Sequence, residues 1–165
     1  MKYLCLALLI LFIFNACTPD EPAVAKGPPL AGLWSLYAME QKDSVTGEWM
    51  DWRGGMQGYI LYDADGHMAL HLTKKDYQDF ELTFPNFVDT IPMEALRHLT
   101  NSYVYLANYT LDTVNHIVEH ARVSHSNPAE WNGVVQRRYG FIGDTLVLAP
   151  VEEKNKSLRL KWVKQ

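Results

Sequence analysis

Six histidines are the residues of this 165-residue chain whose type and spacing could carry chemistry. His67 and His71 stand four apart, and so do His116 and His120. Where such a pair sits on a β-strand, both side chains point to one face, because strand side chains alternate with a period of two. Four imidazoles facing one interior would suit metal or haem ligation, or proton transfer. A strand rises about 3.3 Å per residue, so the members of one pair lie about 13 Å apart and cannot chelate a single ion. A metal site would need histidines from different strands. The chain has no His-x-His, no His-Glu-x-x-His and no pair of Cys ligands. Polar outward faces explain the same spacing without chemistry, so no metal or cofactor is expected.

Arginine is the second candidate. The run Val134 to Ile142 puts Gln136 and Arg138 on one face, and Val135, Arg137, Tyr139 and Phe141 on the other. One arginine therefore points inward. A lone buried charge is costly, so that group must be paired or meet a polar group of a ligand. No nucleophile stands out: Ser35, Ser124 and Ser126 lack the Gly-x-Ser-x-Gly setting. The acidic residues are scattered, and no pair can be assigned to acid–base work. Net charge is −4 with the two signs interspersed. Without a basic stripe, nucleic acid is excluded as a partner.

The elements that must position these residues are mostly strands. Leu33 to Met39 is predicted as the first, with Trp34, Leu36 and Ala38 on one face. Gln57 to Tyr62 and His67 to Thr73 form a hairpin across Asp63-Ala64-Asp65-Gly66. Tyr103 to Leu111 turns at Asp112-Thr113 into Val114 to Val123. Val134 to Ile142, Thr145 to Ala149 and Ser157 to Val163 complete about eight strands. Short turns between that many strands indicate an antiparallel sandwich or up-and-down barrel. From Pro92 to Ser102, Met93, Leu96 and Leu99 recur at helical spacing, which predicts one short helix across an opening or edge. The aromatic stretch Asp76 to Asp89, with Phe80, Phe84 and Phe87, is either a lid or a loop that plugs the core.

The N-terminus reads differently. Residues 1–16 carry one lysine and an apolar run from Leu4 to Phe14. That run is too short to span a bilayer, which needs about 20 residues, and it matches the apolar region of a signal peptide. It ends at Phe14-Asn15-Ala16-Cys17, which resembles the lipobox of bacterial lipoproteins. Removal of residues 1–16, with Cys5, leaves Cys17 as the single cysteine and allows no internal disulfide. Acylation accounts for an unpaired cysteine in an exported chain, since each buried methylene contributes about 0.8 kcal/mol to membrane binding. Residues 17–29, rich in Pro and Ala, read as a tether to a domain spanning 30–165. The expected location is the bacterial cell envelope, anchored to the outer or inner membrane. Asp20 and Glu21 resemble a surface-export signal of some Bacteroidetes lipoproteins.

The order of several short motifs resembles the bacterial lipocalin-like domain family. Gly32-Leu33-Trp34 is similar to the Gly-x-Trp of lipocalins, and Gly58 to Met68 looks like that family's Gly-x-Ile-x-Tyr-x-x-Asp-Gly-x-Met hairpin. Asn108-Tyr109-Thr110, Trp131-Asn132-Gly133, Gly143 to Leu148 and Leu160-Lys161-Trp162 continue the pattern over roughly Leu30 to Val163. The resemblance implies an all-β, antiparallel lipocalin-like barrel of about eight strands. Its interior would hold a small apolar or amphipathic molecule. Tyr59, Tyr62, Met68, Leu70, Tyr105, Tyr109, His116, His120 and Arg138 are the expected binding residues. It also implies that an arginine from a late strand, Arg138 or Arg159, packs on Trp34 and closes one barrel end. The alternatives are an enzyme or haem protein built on His116, His120 and Arg138, and a filled envelope barrel without ligand. Cys17→Ser should yield an unacylated or uncleaved chain with a normally folded domain, as read by intact mass and circular dichroism.

Overall fold

The computed structural model describes residues 28–81, 90–152 and 156–165. The segment 1–16, Cys17 and the tether up to residue 27 lie outside these residues, as do Phe84 and Phe87. Among the described residues the strands are β1 (Gly32–Lys42), β2 (Trp49–Asp51), β3 (Met56–Tyr62), β4 (His67–Lys74), β5 (Ser102–Asp112), β6 (Ile117–His125), β7 (Val134–Ile142), β8 (Thr145–Pro150) and β9 (Leu158–Lys164). One α-helix, α1 (Met93–Leu99), precedes β5.

All pairings are antiparallel, and each of β3 to β8 pairs with the next strand in the chain. β1 pairs with β3 on one side and β9 on the other, so eight strands close into a barrel. The short β2 adds only to the far end of β1. Closure leaves no unpaired edge, the standing liability of an open sheet.

Alternation sorts the side chains. On β4, Met68, Leu70 and Leu72 are buried while His67 and His71 are exposed. On β5, Tyr105, Ala107 and Tyr109 are buried between exposed Leu106, Asn108 and Thr110. β1 departs from simple alternation. A bulge between Leu36 and Ala38 adds one residue, so that Met39, not Ala38, faces the core beyond it.

Carboxylates set the turns. Asp63 Oδ1 accepts the amides of Asp65 and His67, at 2.8 and 2.7 Å. Asp112 Oδ1 accepts those of Val114 and Asn115, at 3.0 and 2.9 Å. These side chains replace ladder hydrogen bonds, and so end the strands. That explains one departure from expectation: Val114 to His116 belong to the turn, and β6 begins at Ile117. His116 sits there at φ 54°, just before the strand, with its carbonyl accepting the Tyr139 amide at 2.8 Å.

One end of the barrel is plugged. Trp34 donates its indole N–H to the Leu30 carbonyl at 2.8 Å, drawing the chain across that end. Tyr62, Met68, Tyr109, Tyr139 and Leu146 pack behind it. The cation over Trp34 is Lys164, with Nζ 5.4 Å from the ring centroid. The expectation of Arg138 or Arg159 in that role fails. Arg138 is exposed, and Arg159 lies on the outside over Trp49 at 3.8 Å, bonded to Glu40 at 2.6 Å. The other end is open, and the residues following α1 reach it: Lys74 donates its amide to the Asn101 carbonyl at 3.1 Å.

Gly58 carries the tightest backbone approach. At φ 148°, an added Cβ would stand 2.0 Å from the His71 carbonyl oxygen, within the β3–β4 ladder. Gly58→Ala should destabilise the barrel by at least about 3 kcal/mol. Urea unfolding checks this, and a loss within error would remove the steric argument.

Candidate functional site

A cavity of about 510 Å³ occupies the open half of the barrel. The lining residue nearest the plugged end is Ile60 on β3, Leu70 on β4, Tyr105 on β5, His120 on β6, Leu148 on β8 and Trp162 on β9. These form its floor. Arg137 enters from β7. Above the floor the walls are apolar, with Met39, Met56, Leu72, Leu158 and Leu160. Arg53, Lys74, Thr100 and Asn101 ring the mouth. Among the described residues no Asp or Glu lines the space, whereas three cations do.

The floor is held by one chain of hydrogen bonds. Tyr62 Oη lies 2.9 Å from His120 Nε2, and Tyr105 Oη lies 2.8 Å from His120 Nδ1. His120 is only 1% exposed. Burial drives its pKa down to about 3, and the nearby Arg137 and Arg122 charges push the same way. The imidazole is therefore neutral at physiological pH, one nitrogen donating and the other accepting. Burial also raises both phenols above their ordinary range, although Arg137 opposes it. Trp162 is fully buried, and its indole N–H has no partner among the described residues.

Arg137 is the inward arginine. Its Nη1 donates to the Gln136 carbonyl at 2.8 Å and pairs with Glu152 at 3.4 Å. Arg122, also on the inner face of β6, is taken up by Glu130 at 2.7 Å and the Gly133 carbonyl at 3.2 Å.

Leu70, Tyr105 and His120 are the expected binding residues that line the cavity. Tyr62, Met68 and Tyr109 point inward but belong to the plug below it. Tyr109 donates to the Asp63 carbonyl at 2.7 Å, which ties the hairpin turn to the barrel end. Tyr59 is 53% exposed on the outer surface. It stands three residues from Tyr62 on one strand, so the two cannot share a face. His116 lies in the β5–β6 turn, with its ring edge against Tyr139. Arg138 faces solvent because Arg137 holds the inward position. Four convergent histidines are therefore not assembled: His67 bonds Asp63 outside, His71 is exposed, and His120 alone of the two pairs is inside. Among the described residues no group of three or more His, Cys, Asp or Glu could hold a metal ion.

Part of the lid candidate can be placed. Tyr77 and Phe80 stack on the His98 ring of α1, with centroids 4.3 Å away in each case. Trp162, Trp52 and Lys74 were not anticipated as lining residues, though the alternation of β4 and β9 carried Lys74 and Trp162 inward.

A family model described as a lipocalin-like domain matches residues 31–164. No curated protein matches the chain.

The buried neutral His120 has a consequence for stability. An unfolded histidine titrates near about 6.5, so between there and about 3 the unfolded chain binds a proton that the folded chain refuses. Stability should fall as pH drops through that window and be indifferent to His120 above it. The expected slope is roughly 1.4 kcal/mol per pH unit for this one proton. His125, lowered by burial as well, adds to it in the same direction. Denaturant unfolding of wild type and His120→Gln between about pH 4.5 and 6 should show a shallower slope in the variant. Equal slopes would show that His120 takes up a proton when folded.

Proposed function

The chain belongs to the lipocalin-like domain family, and from that premise we propose that it is an envelope lipoprotein, anchored through Cys17, whose barrel binds a small amphipathic molecule. Barrels of eight strands are wide enough either to fill with side chains or to hold one small ligand. The observation that carries the ligand reading is the cavity of about 510 Å³, with apolar walls between a cationic mouth and a polar floor. A volume in this range suits a small molecule, and a few placed polar groups among apolar ones suit orientation of that molecule.

The anchor rests on residues of the sequence: the apolar run from Leu4 to Phe14, Ala16-Cys17, and the Pro-rich stretch that follows. It would hold the mouth within reach of envelope amphiphiles.

Binding, rather than catalysis, is favoured by the floor's protonation. An effective general acid or base has a pKa near the working pH. Here the imidazole is held near 3 and the phenols are raised, so neither end of the chain is matched to proton transfer at neutrality.

The full chain should bind an amphipathic fluorescent probe saturably, with one site per chain. Leu70→Trp, which fills the floor, should weaken that binding by about tenfold while the barrel stays folded. Fluorescence titration with a parallel melting curve reads both. A folded wild-type chain that binds no amphipathic or apolar probe would sink the reading.

A further inference from the structure

The floor of the cavity has more hydrogen-bond donors than the protein satisfies. The Tyr62–His120–Tyr105 chain contains three protons on heteroatoms, one on each phenol and one on the neutral imidazole. It forms two hydrogen bonds, so one proton is left without an acceptor. Tyr62 is 1% exposed, sits in the plug, and has His120 Nε2 as its hydrogen-bond partner. A free phenol proton there would cost about 1–3 kcal/mol. Tyr62 therefore donates to Nε2, His120 carries its proton on Nδ1 and donates it to Tyr105 Oη, and the spare proton is that of Tyr105. Tyr105 is the member of the two phenols that lines the cavity.

Trp162 adds a second spare donor to the same floor. Its side chain is fully buried, lines the cavity, and has no partner for Nε1–H among the described residues. Arg137 supplies positive charge: its Nη1 is engaged, while its remaining N–H groups have no hydrogen bond among the described residues. Donors thus collect at the floor, with no carboxylate among its described lining residues.

We propose that the ligand is an amphipathic carboxylic acid that enters head-first, its carboxylate accepting the Tyr105 hydroxyl proton beside Arg137. This deepens the ligand-binding reading and rests on it. A carboxylate accepts through both oxygens and brings no proton that needs a home. An alcohol brings one, and an ammonium brings only protons and a like charge. The opposite orientation would place the acid on Arg53 and Lys74 at the mouth. Both are exposed, and solvated charges of that kind add little. The floor donors are desolvated already, so filling them gains most. The apolar walls above them then cover the alkyl chain.

Two experiments test this on the full chain. Nitrogen-15 NMR of the imidazole should show His120 protonated at Nδ1 in the absence of any ligand, and protonation at Nε2 would place the spare proton on Tyr62 and overturn its assignment to Tyr105. Calorimetry with dodecanoate, dodecanol and dodecylamine should rank them in that order, with dodecanoate at least about tenfold ahead of the amine. Tyr105→Phe keeps the ring and removes the spare proton. It should weaken dodecanoate about tenfold and leave dodecylamine unchanged, with folding verified by its melting curve. Equal binding of the three probes, or an equal loss for all three in Tyr105→Phe, would overturn the head-first acid while leaving a binding cavity in place. Failure of all three to bind would remove the cavity reading itself, and this proposal with it.

Discussion

The pairing of β1 with β9 is the interaction on which the rest of this molecule depends. It joins the first and last strands along seven residue pairs, from Trp34 with Lys164 to Gln41 with Leu158. Without it, the other seven pairings make an open sheet with two bare edges, and such a sheet has faces but no interior. Closure converts the inward side of the alternation into an enclosed volume. It also brings Lys164 over Trp34 and sets Trp162 opposite Leu36. The bulge in β1 belongs to the same solution, because one extra residue lets a straight strand bend around a small barrel.

An interior so formed has two halves with different physics. Near Trp34 the side chains are large and aromatic, and they meet: Tyr62 and Tyr109 pack edge to face with centroids 5.0 Å apart. That half is core. In the other half, methionines, leucines and a proline stand back from one another, and the space stays open. The boundary is polar. Tyr62 belongs to the core and Tyr105 to the cavity, and His120 joins them. A buried imidazole is tolerated here because both ring nitrogens are satisfied and the charge is refused. Arg122 and Arg137 reinforce the refusal. Each also has its own carboxylate, Glu130 or Glu152, which keeps the cations from being unpaired inside the fold.

Much of the architecture was legible along the chain. Alternation in His67 to Thr73 and Tyr103 to Leu111 marked strands, and Asp-led turns marked their ends, while the choice of inward face waited on the fold. The barrel followed from the resemblance of the motifs between Gly32-Leu33-Trp34 and the terminal Leu160-Lys161-Trp162 to the lipocalin-like family, whereas the residue over Trp34 did not. Legibility ended where spacing alone could not choose. Tyr59 and Tyr62 both suit a lining by residue type, yet their separation of three forces them to opposite faces. His116 was read into a strand because nothing local showed that the Asp112 carboxylate would capture two backbone amides and extend the turn. Arg137 and Arg138 are neighbours of the same chemistry, and only the register of β7 against β6 and β8 turns the first inward.

The sequence by itself determined most of the strands and the Asp-led turns between them, because those follow from local hydrogen bonding and a period of two. It also contained the apolar run from Leu4 to Phe14 and a single cysteine beyond it, a pattern of composition that needs no fold to be read. What only the tertiary structure decided is the donor-rich floor. His120 comes from β6, Tyr62 from β3, Tyr105 from β5 and Trp162 from β9. Their distances, the shared imidazole and the spare protons exist only once closure has fixed eight strands in register. Hydrogen bonding between side chains is a property of position in space, and the chain spells out position only after it has folded.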